Sequence, residues 1–223
     1  MHLSRWTLGR MQNPVRGFLH GTAAGVSLAA TIFLLGRGGD AISHRMALAV
    51  FGICMVALYT VSTLYHTIPW RGVWKQRMQR VDHSMIFAFI ASTYTPLAVI
   101  VFDGWLTWAT LAMVWGIAAV GIVQLMVFPQ AVKGLSVGLN TTLGWLALLL
   151  LWPMLQRLPW TAIAFMFLGG FLYTIGMVFM VTRWPRLWPR VFSAHELFHV
   201  CVIAGSAAHF FVTFRYVAPL GWA

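Results

Sequence analysis

Residues 17–36 read GFLHGTAAGVSLAATIFLLG, a run with no Asp, Glu, Lys or Arg. About 20 helical residues cross the core of a bilayer, so this run is long enough for one transmembrane helix. The rest of the chain has the same character: its 223 residues are 60% hydrophobic and 9% charged, and its mean hydropathy is +0.80. Soluble domains carry about 25% charged residues. The composition therefore predicts a membrane protein.

Further windows that are nearly free of charge follow along the chain, and only Glu196 interrupts the last of them. The seven predicted transmembrane helices are 17–36, 46–68, 83–102, 106–128, 136–156, 159–182 and 192–214. Little sequence remains between them for a soluble domain. We therefore predict an all-α membrane protein, with residues 1–223 forming a single domain, a seven-transmembrane helix bundle.

The net charge of +11 is distributed unevenly between the two ends of these helices. The amino-terminal segment and the second, fourth and sixth connections carry 11 of the 15 Lys and Arg residues, and the other segments carry 4. The positive-inside rule then predicts a cytoplasmic amino terminus and an external carboxyl terminus. The basic stretch RGVWKQRMQR is interpreted as a topology determinant that rests on anionic membrane lipid. We expect no nucleic-acid partner, because the tryptophans there suit the membrane interface.

Near the carboxyl end the chain reads HELFH from His195 to His199, the H-E-x-x-H pattern of zinc metalloproteases. The two histidines share a helix face, and Glu196 could activate water. A protease also needs a third protein ligand, but the chain has four acids and none follows Glu196. The extended motif requires Gly and His where this chain has Val202 and Gly205. The protease interpretation fails, and a third ligand must come from another helix.

The predicted topology brings polar residues of three helices to one depth. His195 and His199 follow Arg190 closely, so they lie about 7–14 Å inside the cytoplasmic end of the last helix. The second helix ends near His66, and the third begins near Asp82, at this same end. Ionisable groups inside a membrane are costly and indicate function. This layer of residues therefore predicts a metal site.

Each of these residues also has a plainer explanation. A histidine in a membrane can simply form a hydrogen bond with a neighbouring helix, and Asp82 can balance the charge of Arg80. Ser62, which lies one helical turn before His66, can bond a carbonyl of its own helix. The concentration of polar groups at one depth favours the metal site, although the plainer alternatives stay open for each residue.

Three segments carry a family resemblance: STLYHTIP from Ser62, VDHSMIFAFIASTYTP from Val81 and HELFHVCVIAGSAAHF from His195. Together they resemble the signature regions of the hemolysin III family, which belongs to the progestin and adipoQ receptor superfamily and is distantly related to alkaline ceramidases. The resemblance extends from His20 to His209. It implies seven helices with the amino end inside, in agreement with the charge distribution. We expect a multi-pass protein of the bacterial cytoplasmic (inner) membrane.

The resemblance also implies the composition of a site. It implies a Zn²⁺ ion held by His66, His195 and His199, with Asp82 beside the zinc-bound water and Ser62 nearby. Asp82 and Ser62 are thus the candidate catalytic residues.

Other residues of these segments receive lesser roles. His20 is a candidate supporting residue, whereas His83 is about 100° around the helix from Asp82 and is expected to point elsewhere. His209 is interpreted as a packing or hydrogen-bonding residue. Glu196 is expected to tune the site or face solvent. Family members usually carry acids and an asparagine before the first helix, whereas this chain reads MQNPVRGFLHG there, so no role of this segment in the site is predicted.

These residues predict metal-assisted hydrolysis of a lipid amide or ester, with the substrate entering laterally from the bilayer; a ceramide-like or other acyl amide fits, and nothing in the sequence selects between them. Zinc bound by three imidazoles keeps one open position and lowers the pKa of bound water to about 7. Asp82 would take a proton from water and return it to the leaving group, and Ser62 would orient water or stabilise the oxyanion.

Two other functions stay open. One is a non-enzymatic sensor or regulator of lipid homeostasis with a structural zinc. The other is a pore-forming cytolysin, for which such apolar helices offer a poor water path. The identity of the substrate and the oligomeric state do not follow from the sequence.

Overall fold

The computed structural model of the protein describes residues 11–128, 133–188 and 191–222. The described residues form eight α-helices: α1 (Pro14–Leu35), α2 (Ile42–Thr67), α3 (Gly72–Pro96), α4 (Trp105–Val127), α5 (Lys133–Trp145), α6 (Leu151–Arg157), α7 (Trp160–Thr182) and α8 (Ala194–Val212). Short π-helical turns extend α3 to Val101 and α8 to Val217. The predicted all-α class is confirmed. Arg5, Arg10 and Arg190, which are among the 11 basic residues that support the predicted orientation, lie outside the described residues.

Six helical segments are long and apolar enough to cross a membrane. They are Pro14–Leu35, Ile42–Thr67, Gly72–Val101, Trp105–Val127, Trp160–Thr182 and Ala194–Trp222. A seventh is present as a bent pair, in which Gly134–Leu148 and Leu151–Arg157 meet at 45°. Counted as one span, this pair brings the total to the seven that the sequence predicts.

The bend in the fifth predicted span, 136–156, is stabilised by a tyrosine of another helix. The hydroxyl oxygen of Tyr94 accepts a hydrogen bond from the N–H of Ala147 at 3.0 Å. It lies 2.9 and 2.8 Å from the carbonyl oxygens of Leu143 and Gly144, and donates to one of them at a time. Broken helices are tolerated in membranes where such partners replace the lost backbone bonds.

Helix α3 starts well before its predicted window. The third window begins at residue 83, whereas α3 begins at Gly72. The windows are defined by absence of charge, so they mark only the part of a helix inside the membrane core. The first turns of α3 carry basic residues and therefore precede its window. Asp82 therefore lies within α3 rather than at its start.

Exposed tryptophans mark both ends of the helices. Trp105, Trp152 and Trp160 lie at the start of α4, in α6 and at the start of α7, at one end. Trp74 and Trp184 lie at the start of α3 and after α7, at the other end. Tryptophan concentrates where membrane meets water. The two sets therefore fit a bundle whose helices cross a bilayer.

Helix packing brings the site residues to one end of the bundle. Helices α1 to α5 pack in chain order, and α7 packs along α8. Because α1 also contacts α8, the first and last helices lie side by side. The start of α1, the end of α2 and the start of α8 meet at this end.

Candidate metal centre

His66 lies in the last turn of α2, where the helix is forced to end. Ile68 is extended because it precedes Pro69, which disfavours a helical residue before it. The His66 side chain is buried. The backbone N–H of Asn13 donates to the carbonyl oxygen of His66 at 2.8 Å, one of the carbonyls that the helix end leaves unpaired. The start of α1 therefore holds His66 in place.

His195 and His199 lie in the first turns of α8, four residues apart and so on one face. The helix begins after Ser193, which forms a capping box with Glu196. Oε2 of Glu196 accepts hydrogen bonds from the N–H of Ser193 at 2.8 Å and from its hydroxyl at 3.1 Å. The capping box fixes where α8 begins and, through that, the face on which both histidines project.

The rings of His66, His195 and His199 converge between α2 and α8. The ring centroids of His66 lie 5.6 Å from His195 and 5.0 Å from His199, and those of the two α8 histidines are 4.8 Å apart. One ring nitrogen of each residue lies within 4.8 Å of the other two. We call these three residues the histidine cluster.

The donor atoms of the histidine cluster fit a metal ion. In a tetrahedral zinc site with Zn–N bonds of about 2.0–2.1 Å, two nitrogens lie roughly 3.4 Å apart. Each nitrogen of the cluster needs to move by about 1 Å or less to reach that spacing. Nδ1 of His66 and both ring nitrogens of His199 are buried without a hydrogen-bond partner in the described residues, a costly state that a cation would relieve. The cluster could therefore bind a metal.

Ser62 lies one helical turn before His66 in α2, and Asp82 lies across from it in α3. Both side chains are buried, Asp82 in α3 and Ser62 in α2. The Ser62 side chain interacts with the Asp82 carboxyl group. The three segments that the sequence assigns to the site therefore meet, but the Asp82 carboxylate is not among the mutually close ligand atoms.

Glu196 takes a place that the sequence analysis missed. It is 5% exposed, so the expectation that it could face solvent is wrong. Its Oε1 accepts a hydrogen bond from Nε of Arg16 at 2.7 Å, in an ion pair between α1 and α8. The S-x-x-E spacing from Ser193 to Glu196 is a capping signal that predicts a glutamate folded back onto the amino end of the helix. No comparable signal in the sequence points to Arg16.

His20, in α1, lies against the histidine cluster. Its ring is edge-on to that of His199, with the centroids 4.2 Å apart, and also edge-on to Tyr59 at 5.2 Å. It is buried, and neither ring nitrogen has a hydrogen-bond partner in the described residues. His20 does not join the set of mutually close ligand atoms. It is a neighbour of the cluster on the α1 side.

Two further histidines stay outside the cluster. His209 stacks on the ring of Tyr173 with the centroids 5.6 Å apart, further along α8. His83, next to Asp82, is also absent from the set of mutually close ligand atoms.

The sequence matches a family model over most of its length. The model described as Haemolysin-III related matches residues 9–210. This range includes every residue of the histidine cluster together with Ser62 and Asp82.

Individual relatives match over similar lengths. The chain is 32% identical to "Hemolysin-3" of Bacillus cereus over 220 residues, which are 97% of each chain. It is also 32% identical to "Hemolysin-3 homolog" of Bacillus subtilis (strain 168) over 203 residues, 88% of this chain and 90% of that one. With "Monocyte to macrophage differentiation factor" of Homo sapiens the identity is 25% over 196 residues, 82% of this chain and 76% of that one.

Proposed function

The chain belongs to the Haemolysin-III related family, and from that premise we propose that it is a zinc-dependent hydrolase of lipid amides or esters. Its bacterial relatives and its apolar helices make it an integral, multi-pass protein of the bacterial cytoplasmic membrane. The observation that carries the proposal is the histidine cluster: three imidazoles from two helix ends, with the buried carboxyl group of Asp82 against Ser62, one helical turn before His66.

His66, His195 and His199 would hold the zinc ion. Imidazole nitrogen is a common zinc ligand, and three protein ligands are typical of catalytic rather than structural zinc sites. When bound, such an ion polarises an acyl carbonyl and supplies activated water at its open position.

Asp82 would act as the general base and then as the general acid. Its carboxylate takes a proton from the attacking water as the carbon–oxygen bond forms. It delivers this proton to the leaving nitrogen or oxygen as the acyl bond breaks. The interaction with Ser62 would hold the carboxylate in the orientation that these transfers need.

The substrate would reach the site from the bilayer. Leu64 and Val200 lie at the depth of His66 and His199, on the outer faces of α2 and α8, and are 41% and 39% exposed. Apolar side chains exposed at this depth support lipid chains lying against the outer faces of the two helices that carry the cluster. In the proposed orientation, with the amino terminus inside, the cluster lies near the cytoplasmic face.

A structural zinc in a membrane sensor or regulator is the second candidate. His20 favours it, because a buried histidine with two unpaired nitrogens lies against His199 and could complete a closed site with four ligands. A pore-forming cytolysin, which the names of the Bacillus relatives suggest, is a weaker candidate. Large side chains such as Phe51 and Phe87 are fully buried and fill the interior of the described bundle.

Asp82→Asn distinguishes a catalytic Asp82 from one that serves as the fourth ligand of a structural site in place of His20, because it removes basicity and keeps the size of the side chain. A hydrolase should keep its zinc and its melting temperature and lose lipid amide or ester cleavage by about 100-fold or more. If Asp82 helps to close a structural site, metal affinity and melting temperature should fall together. Asp103→Asn is the matched control, since Asp103 is an exposed acid at the other end of the bundle.

The measurements are zinc content, melting temperature and turnover on a panel of acyl amides and esters, for parent and variants side by side. A parent protein with intact zinc and no turnover on any of these lipids would reject the hydrolase and favour the sensor.

A further inference from the structure

Residues 12–17, at the start of α1, contact both helix ends that carry the histidine cluster; we call them the brace. The backbone N–H groups of Gln12 and Asn13 donate to the carbonyl oxygens of Thr67 and His66, at 3.2 and 2.8 Å. These carbonyls belong to the last turn of α2 and have no partner within that helix. The brace therefore caps the helix that carries His66.

The brace also lies very close to α2. A β-carbon added at Gly17 would be 2.3 Å from Cγ2 of Thr67, so the spacing of the two helices requires glycine here. Pro14 occupies the first turn of α1, where its fixed φ favours the helix and its missing N–H leaves no donor unpaired. These contacts are made by the backbone of the brace, and they fix the brace against the end of α2.

On its other side the brace contacts α8 through one ion pair. Arg16 donates from Nε to Oε1 of Glu196 at 2.7 Å, across 180 residues of sequence. Oε2 of Glu196 is bound by Ser193, so the carboxylate is fixed to the amino end of α8. The side chains of Arg16 and Glu196 are 22% and 7% exposed, whereas both members of the other two ion pairs in the described residues are more than half exposed.

We propose that Arg16 and Glu196 are positioning residues that set the separation between His66 on α2 and the two histidines on α8. The inference rests on the proposed metal site, because the separation matters only if the three imidazoles share an ion. The brace contacts α2 through its backbone and reaches Glu196 through one side chain. Loss of the ion pair should therefore release the start of α8 while the end of α2 stays capped.

Glu196→Gln is the variant that isolates the ion pair. Glutamine also serves in a capping box, since its amide oxygen can accept the hydrogen bond from the N–H of Ser193. The start of α8 is thus kept and the charge is removed. Arg16→Gln is harsher, because it leaves a buried carboxylate without a counter-charge.

Spin labels measure the separation directly. Leu64 and Val200 are exposed on α2 and α8, so labels there report the distance between the two helices in full-length protein by double electron–electron resonance. Cys54 and Cys201 are first replaced by alanine. We expect Glu196→Gln to shift or broaden the distance distribution. A distance distribution identical to the parent's would overturn the proposal that the ion pair sets this separation.

The control variant removes an ion pair far from the cluster. Arg157→Gln breaks the exposed pair between Arg157 and Asp103, near α6 and α4. It should leave the distance distribution unchanged.

Competition for zinc with a chromogenic chelator tests whether the separation between α2 and α8 affects zinc affinity. Glu196→Gln should bind zinc about 10–100-fold more weakly than the parent, as is typical when a partner behind the metal ligands is lost. The double variant Arg16→Gln/Glu196→Gln should bind zinc no more weakly than the weaker-binding single variant, because the two substitutions remove the same contact. Equal zinc affinity in Glu196→Gln and the parent would reject the positioning role. If the parent binds no zinc, the proposed function fails, and the spin-label distances still decide whether the brace holds the helix ends.

Discussion

The ring of His20, in the first helix, lies edge-on to the ring of His199, in the last helix, with the centroids 4.2 Å apart. Helices α1 and α8 are far apart in sequence but pack side by side, so α1 covers one side of the histidine cluster. The same helix carries Arg16, whose ion pair with Glu196 lies one helical turn away from His20. The first helix is therefore part of the site, although the sequence motifs place the ligands on α2 and α8.

Alanine variants of the cluster test the ligands. His66→Ala, His195→Ala and His199→Ala should each lose most of the zinc of the purified protein, because two imidazoles leave the ion too few protein ligands. His209→Ala should retain it, since His209 stacks on Tyr173 outside the cluster. Elemental analysis after dialysis against a weak chelator gives the zinc content per chain. Full zinc in all three cluster variants would refute the ligand assignment.

The His20→Phe variant keeps an aromatic ring against His199 and removes the nitrogens. If His20 only supports His199, zinc affinity should fall by about 10-fold, at the lower end of the effects seen for partners behind metal ligands. A loss as large as that of the cluster alanine variants would make His20 a fourth ligand and favour a closed, structural site. His44→Phe, at the start of α2 at the other end of the bundle, is the control. Zinc affinity equal to the parent's would show that the His20 ring only packs.

The sequence predicted the parts of the structure that depend on local composition. Residues 17–36 and the similar windows must be apolar wherever they pack, since they face lipid. Charge counting then set the relative depth of His66, Asp82 and the α8 histidines, and the structure brings the ring nitrogens of the three histidines together, with Asp82 against Ser62 one helical turn before His66.

Features that depend on which helices are neighbours could not be predicted. The break between α5 and α6 depends on the hydroxyl of Tyr94, a residue of another helix. Likewise, the ion pair of Arg16 and Glu196 depends on the packing of α1 against α8, and neither residue's own surroundings in the sequence reveal it.

The orientation of the bundle is tested by reporters. The distribution of Lys and Arg predicts that a reporter fused to the carboxyl terminus appears on the outer face of the membrane. A reporter inserted near Lys75, before the membrane part of α3, should appear inside. Alkaline phosphatase activity, which requires export, and fluorescence of a cytoplasmic fluorescent protein measure the two positions. A cytoplasmic carboxyl terminus would place the histidine cluster at the outer face and contradict the proposed orientation.

Ser206 joins two tyrosines inside the bundle, and its removal should destabilise the protein. The hydroxyl of Ser206 donates to the carbonyl oxygen of Val202 at 2.8 Å, so the phenols of Tyr59 and Tyr173, at 2.7 and 3.0 Å, both donate to its oxygen. Ser206→Ala leaves two buried phenols without their acceptor, which should cost about 1–3 kcal/mol in the free energy of unfolding. Hydrogen bonds between membrane helices average about 0.6 kcal/mol, so the lower part of this range is expected.

Reversible unfolding in mixed micelles measures this loss, and two further variants show where it comes from. Ser206→Ala combined with Tyr59→Phe should be more stable than Ser206→Ala alone, because one unpaired buried hydroxyl is gone. Thr182→Ala is the control, since its exposed hydroxyl donates only to Val178 of its own helix, and it should change stability little. If Ser206→Ala lowered the free energy of unfolding no more than Thr182→Ala does, the two phenols would have other hydrogen-bond partners. Ser206 would then not be the link between α2, α7 and α8.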